Sequence, residues 1–165
     1  MKTNMTDERF CLEIESMRSS LFRVAFAILR NYTDCEDAIQ TTVFKAYRKL
    51  DALKEPAYFR TWVIRILKNE CFDLLKKQRM LVPLSERREV DYEMAVPDLD
   101  LNRAFDTLSP DERLVITLYY YEGYTTPEIA KLTDVSDNAV RTRLFRARAA
   151  LKEQLTERNQ DHEIL

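Results

Sequence analysis

The stretch 124–151 constrains the fold more than any other part of the chain, because its capping signals divide it into two helices with a tight turn between them. Thr125 and Glu128 have the spacing of a capping box, and Pro127 lies in a first turn, where its missing N–H costs nothing. A short helix is therefore predicted to begin at Thr125. Its apolar face consists of Ile129, Ala130 and Leu132.

A second, longer helix is predicted to follow the break at 133–135, with the hydroxyl of Ser136 as its cap. Apolar residues then recur at the spacing of an amphipathic helix. They are Val140, Leu144, Ala147 and Leu151. Two capped helices joined by so short a turn are typical of a helix-turn-helix.

The face opposite this apolar stripe predicts contact with DNA. At about 100° per residue it carries Asn138, Thr142 and Phe145, flanked by Arg141 and Arg146. A major groove accepts a helix whose guanidinium, hydroxyl and apolar groups suit guanine edges, phosphates and thymine methyls. The alternative is a solvated amphipathic helix whose arginines lay their stems over apolar neighbours.

Positive charge is concentrated on this second helix. Between 136 and 152 five basic residues oppose a single acid, whereas the whole chain has a net charge of -2. The basic residues are Arg141, Arg143, Arg146, Arg148 and Lys152, and the acid is Asp137. This local excess favours a nucleic-acid surface.

Composition predicts an all-α chain of two small domains. The 165 residues include one glycine, and no stretch alternates apolar and polar side chains as a half-buried strand would. No apolar run approaches the roughly 18 residues of a membrane span, and 1–10 lacks the apolar core of a secretory signal, so a cytoplasmic protein without membrane insertion is expected. Cys11, Cys35 and Cys71 are far apart and are expected to be buried or half-buried, rather than zinc or disulfide ligands.

The stretch 81–100 is acidic and separates two basic zones. It contains Pro83 and Pro97, and its six acidic residues are opposed only by Arg87 and Arg88. We interpret it as an extended linker between a domain at 1–80 and a second domain at 101–165.

Three helices are predicted in 1–80. The first runs over 8–31, the second opens with a capping box of Thr33 and Glu36, and the third begins at Pro56. The third helix directs Phe59, Trp62, Val63, Ile66 and Leu67 inward and Arg60, Arg65, Lys68, Lys76, Lys77 and Arg79 outward. In 101–165, a short helix and a helix from a Ser109–Glu112 box to Gly123 precede the helix-turn-helix.

Four segments together resemble bacterial extracytoplasmic-function (ECF) sigma factors of the sigma-70 family, over nearly the whole chain. They are DCEDAIQTTVFKAYRKL at 34–50, FRTWVIRILKNECFDLLKK at 59–77, LSPDERLVITLYYYEGYTTPEIAKL at 108–132 and VSDNAVRTRLFRARAAL at 135–151. The resemblance implies that 1–80 is region 2, which binds core RNA polymerase and opens the minus-ten element, and that 101–165 is region 4, which reads the minus-thirty-five element. Two departures are Thr133 with Asp134, where the family usually has Gly, and Ala139, where it usually has Thr.

The resemblance places the polymerase contact on the outer face of the second helix. The implied residues are Asp34, Glu36, Asp37, Gln40, Thr41 and Phe44. An acidic and amide-bearing face suits an arginine-rich partner. For the acids, the alternative is a solvated face whose carboxylates complement the helix dipole.

The resemblance also assigns basic and polar residues of the third helix to the minus-ten element. They are Arg60, Arg65, Lys68, Asn69, Lys76 and Lys77, to which Tyr58 adds an aromatic ring that bases can stack on. The family's flipped-base pocket falls in 51–58. Phe59 and Trp62 are expected in the core, and Asn69 has the alternative of pairing with Asp73.

Other classes of function are less compatible with the chain. An enzyme needs a convergent catalytic set, yet there is no phosphate-loop motif, no metal-spaced Cys or His, and one histidine, His162. No catalysis, metal or cofactor is therefore expected. A repressor or activator that never joins polymerase has no reason to carry 34–77. Family resemblance implies core RNA polymerase, promoter DNA and an anti-sigma factor, often membrane-bound, as partners in a stress response.

Overall fold

The computed structural model describes residues 5–81 and 99–163. Every regular element within these ranges is a helix, which confirms the predicted all-α class. The chain divides into two compact units, Met1–Val90 and Asp91–Leu165. Of the predicted linker at 81–100, residues 82–98 lie outside the described ranges, while Leu81 ends one helix and Leu99 begins the next.

The first unit contains α1 (Asp7–Ser16), α2 (Arg18–Leu29), α3 (Tyr32–Arg48) and α4 (Phe59–Leu81). Single 3-10 turns at Leu50–Ala52 and Pro56–Tyr58 connect α3 to α4. Helices α2, α3 and α4 pack against one another. Their fully buried side chains include Leu21, Val24, Ile28, Val63, Ile64 and Leu67.

The single helix predicted over 8–31 is wrong, because the helix is interrupted at Met17. Met17 has φ -93° and ψ -3°, and its side chain is buried. The Ser16 hydroxyl donates to the carbonyl of Glu13 at 2.7 Å. A serine that bonds back to the preceding turn competes with the backbone ladder and bends a helix, which accounts for two helices here.

The capping box predicted for Thr33 and Glu36 is also wrong. Asn31 is the cap of α3, since its side-chain oxygen accepts from the N–H of Asp34 at 3.0 Å. Arg30 ends α2 in the left-handed conformation at φ 55°, so the chain turns directly before Asn31. Glu36 instead accepts a hydrogen bond from Tyr32, which raises the pKa of that phenol.

The second unit contains α5 (Leu99–Asp106), α6 (Pro110–Ile116), α7 (Thr126–Thr133) and α8 (Asp137–Glu163), with α8 packing against the other three. The predicted capping box of Ser109 and Glu112 is present, with both bonds formed. A π-helical segment, Thr117–Tyr121, extends α6, and Gly123 at φ 73° turns the chain away, as predicted for the end of this helix.

The cysteines are predicted correctly at two of three positions. Cys35 and Cys71 are fully buried, and burial raises the pKa of the Cys35 thiol to about 12. Cys11 is exposed, so its predicted burial is wrong. It directly follows the buried Phe10, so its side chain leaves α1 about 100° further round the helix. In the part of the chain that the structure describes, no helix is both long and apolar enough to cross a membrane.

Candidate functional site

The turn between α7 and α8 is built as the sequence predicts. The Thr125 hydroxyl accepts from the Glu128 N–H at 3.4 Å, while a Glu128 carboxylate oxygen accepts from the Thr125 N–H at 2.7 Å. Asp134 follows α7 in the left-handed conformation at φ 57°, which aspartate tolerates better than most residues, and so replaces the family's usual glycine. Ser136 caps α8 by accepting from the Ala139 N–H at 3.1 Å.

The apolar side of α8 attaches the helix to its unit. Val140, Leu144 and Ala147 are buried, as are Ile129 and Leu132 of α7. Arg143 also pairs with Asp111 at 3.7 Å. The opposite face of α8 is therefore held outward by packing on the inner one.

The structure places the five predicted minus-thirty-five residues together on that outer face. All five are exposed, and Phe145 retains 72% of its accessible area. They are Asn138, Arg141, Thr142, Phe145 and Arg146. Arg141 donates through Nε to Asp137 at 2.8 Å, and this ion pair uses one of the five N–H donors of its guanidinium. A guanidinium held at one edge retains the pair of donors that a guanine edge or a phosphate accepts.

Sequence reasoning missed a second arginine on this side of α8. Arg148 lies two turns after Arg141, so both occupy one face of the helix. An open recess of about 300 Å³ is lined by Tyr119, Thr126, Arg141, Leu144 and Arg148. The seven-residue spacing was visible in the sequence, but the aromatic partners of Arg148 were not.

On α3, the predicted polymerase-binding residues form one outer face with one exception. Glu36, Asp37, Gln40 and Thr41 are exposed, and Phe44 retains 61% of its accessible area. Asp34 is half-buried, and its carboxylate accepts from Nε2 of Gln78 on α4 at 2.8 Å. Asp34 therefore connects α3 to α4 as well as bordering the outer face.

On α4, most of the predicted minus-ten residues are exposed. They are Arg60, Arg65, Asn69, Lys76 and Lys77, and Tyr58, just before the helix, retains 67% of its accessible area. Arg60 also donates through Nη2 to the Ser20 hydroxyl of α2 at 2.5 Å. A hydrogen-bonded ion pair between Lys45 and Glu70 links α3 to α4.

The prediction that Lys68 is directed outward is wrong, because only 9% of its accessible area remains. Ile64, left out of the predicted inward set, is fully buried one turn earlier, while Ile66 and Trp62 are only half-buried. The buried arc of α4 is thus rotated toward Lys68, because α4 packs on both α2 and α3. Phe59 is buried, as predicted, in edge contact with Phe10 at 5.6 Å between ring centroids.

Comparison with known proteins identifies both units. Residues 14–80 match the family model "Sigma-70 region 2", and 98–151 match "Sigma-70, region 4". The RNA polymerase sigma factor SigV of Bacillus subtilis is 30% identical over 87% of this chain and 89% of its own length. The ECF RNA polymerase sigma-E factor of Escherichia coli K12 is 30% identical over 72% of each chain.

A solved structure supports the fold independently. The sigma factor RpoE of Bartonella quintana, crystallised with the anti-sigma factor NepR, matches 90% of this chain and 98% of its own with a TM-score of 0.76 at 24% identity. Both helical units and their order along the chain are therefore shared with sigma factors, which initiate transcription. This chain belongs to the sigma-70 family of RNA polymerase sigma factors, in its extracytoplasmic-function group.

Proposed function

We propose that this chain is an alternative sigma factor that binds core RNA polymerase, directs it to particular promoters and helps to open them. In this proposal 1–80 acts as region 2, 81–100 as the linker and 101–165 as region 4. The observation that carries it is the outer face of α8, where five exposed side chains suited to base edges and phosphates are presented by a capped helix-turn-helix.

The face of α3 supports the polymerase half of the proposal. Asp37, Gln40 and Thr41 are exposed in successive turns beside Phe44, so the surface combines acidic, amide and aromatic groups. A regulator that only binds DNA needs no such second surface. Charge complementarity to a basic partner sets orientation and association rate, which suits docking of a subunit on a larger enzyme.

Transcription with purified components tests the proposal. Core polymerase plus this chain should start transcripts at promoters that core alone ignores, and the start sites can be mapped after overexpression in cells. Specific DNA binding by the chain without any dependence on core enzyme would instead indicate a plain promoter-binding regulator.

Asp37→Arg tests the polymerase face directly. The variant reverses charge at an exposed position that makes no hydrogen bond or ion pair within the described residues, so circular dichroism should be unchanged while affinity for core enzyme falls. Asp73→Arg is the matched control, since Asp73 is exposed on α4 and the change in net charge is equal. Equal core affinities for the two variants would remove Asp37 from the interface.

We propose further that an anti-sigma factor, which the family resemblance implies is membrane-bound, holds the protein inactive in the cytoplasm until a stress signal releases it. The co-crystal structure of Bartonella quintana RpoE with the anti-sigma factor NepR supports this regulation. A partner of this kind should compete with core polymerase for the chain, so adding it should abolish transcription at the mapped promoters while leaving core activity intact.

A further inference from the structure

The recess between the end of the α6 extension, the start of α7 and the middle of α8 has the character of an anion site. Among the described residues, its lining includes two arginines, a tyrosine and a threonine, with Leu144 as the apolar member and no carboxylate. Arg141 and Arg148 enter it from the same face of α8, two turns apart. Asp137 accepts from Nε of Arg141 at 2.8 Å and is not one of the described residues that line the recess.

Two tyrosines fix the orientation of Arg148. Its Nε donates to the Tyr120 hydroxyl at 2.6 Å. Its guanidinium carbon lies 5.6 Å from the centroid of the Tyr119 ring and 5.5 Å from that of Tyr120. The two rings meet edge to face at 5.0 Å. An exposed arginine loses much side-chain entropy when it binds, so an arginine already held by a ring and a hydroxyl binds at lower cost.

The terminal amino groups of Arg148 are the donors that remain. Within 5–81 and 99–163, the hydrogen bond to Tyr120 is the only one that Arg148 makes. Because a guanidinium carries five N–H groups in a planar fork, four of them stay available to two acceptor oxygens. A phosphate presents two such oxygens at the matching spacing.

We propose that this recess seats one phosphate of the promoter backbone, that Arg148 grips it through both terminal amino groups, and that Tyr120 is a positioning residue for Arg148. The inference rests on the proposed function, in which α8 enters the major groove. In a helix-turn-helix the early residues of the second helix meet bases while the first helix crosses the backbone. Arg148 is well beyond the start of α8 and lines the recess together with Thr126 from the first turn of α7, whose hydroxyl adds a further donor.

The experiment uses full-length chain assembled with core polymerase, bound to a promoter whose start site has been mapped. Single phosphates around the minus-thirty-five element are replaced one at a time by uncharged methylphosphonates, and affinity is measured over a range of salt. The variants are Arg148→Ala, Tyr120→Phe and, as the matched control, Tyr121→Phe, which removes an exposed hydroxyl that makes no hydrogen bond within the described residues.

Arg148→Ala should weaken binding by about tenfold on every promoter sequence, because a phosphate contact carries no base information. The slope of log affinity against log salt should become shallower by about 0.9, the value for one phosphate. One methylphosphonate position that weakens the wild-type complex should have no further effect on Arg148→Ala. Tyr120→Phe should bind the promoter about two- to tenfold more weakly than wild type, and the same methylphosphonate position should have no further effect on it. Tyr121→Phe should match wild type.

The outcomes separate the inference from the proposed function. If wild-type holoenzyme neither binds nor transcribes the promoter, the proposed function fails. The inference fails if wild type is active but Arg148→Ala has the same slope of log affinity against log salt as wild type. It also fails if every methylphosphonate weakens Arg148→Ala as much as it weakens wild type, because no phosphate then binds in the recess. If Arg148→Ala behaves as expected and Tyr120→Phe equals wild type, the positioning role of Tyr120 is overturned.

Discussion

The two surfaces proposed to meet DNA hold their basic side chains in different ways. On α8, Arg141 and Arg146 are exposed on a face that takes no part in packing. On α4, Arg60 donates to Ser20 of α2, and Lys68 is 91% covered by its surroundings. Arg60 and Lys68 thus belong partly to the fold of their unit, whereas Arg141 and Arg146 lie on the surface of theirs.

This difference predicts which substitutions separate recognition from stability. A side chain presented on a free face can be changed at a cost within about 0.5 kcal/mol in folding, while a covered one takes packing with it. Substitutions of Arg141 and Arg146 should therefore change promoter binding without changing folding, and some on α4 should alter folding and promoter opening together.

Lys68→Ala should have the largest effect on folding. Removing the covered four-carbon stem should lower the free energy of unfolding by about 2–3 kcal/mol, as for other large-to-small changes in a packed site. Trp62, the only tryptophan, lies on α4 and reports unfolding of this unit by fluorescence. Asn69→Ala, at the exposed neighbouring position, is the control and should be near wild type. A Lys68→Ala variant as stable as the control would place the lysine on the surface with the others.

Arg141→Ala should leave folding unchanged and cost about 1–3 kcal/mol of binding at a single base pair of the minus-thirty-five element. Holoenzyme affinity for a set of singly substituted promoters measures this. Arg143→Ala breaks only the pair with Asp111 and should not change base preference. Uniform loss across all promoters would show that Arg141 contacts phosphate instead.

Lys76→Glu combined with Lys77→Glu should affect opening rather than folding, because both side chains are exposed near the end of α4. Contacts to a displaced strand are strongly salt-dependent, so activity on duplex promoter should fall about tenfold at moderate salt. Activity on a template already mismatched around the minus-ten element should be largely retained. Equal losses on both templates would point to a general binding or assembly role.

Glu128→Gln should give the smallest effect, seen only as a change in pH dependence. Hydrogen bonds from the N–H and hydroxyl of Thr125 lower the pKa of Glu128. At pH values above the ordinary glutamate pKa the carboxylate therefore stabilises α7 fully, and this stabilisation is lost as the pH falls through the lowered pKa. An amide still accepts but does not titrate. Hydrogen exchange at the start of α7 should therefore depend less on acid in the variant than in wild type, while exchange at the start of α3, whose cap is Asn31, should be the same in both proteins.

Local signals account for what could be predicted correctly. The boxes at Ser109 and Thr125, the cap at Ser136 and the apolar stripe of α8 each depend on residues within one or two turns, so the sequence alone specified them. The outer face of α8 followed from the same periodicity, because a helix that buries one stripe must expose the opposite one. The choice of Asn31 over Thr33 could not be made this way, since both are good caps and the left-handed turn at Arg30 decides between them.

Only the tertiary structure decided the environments that depend on distant partners. Lys68 is covered because α4 packs on two helices, which widens its buried arc beyond the stripe that periodicity marks. Asp34 is bonded to Gln78 across 44 positions, and Arg148 to Tyr120 across 28. The sequence by itself determined the caps at Ser109, Thr125 and Ser136 and the presence of a basic outer face on α8, because these arise from neighbours along the chain. Packing between helices determined which charged groups are hydrogen-bonded within the protein, which are buried and which stay exposed. No local sequence pattern contains that information.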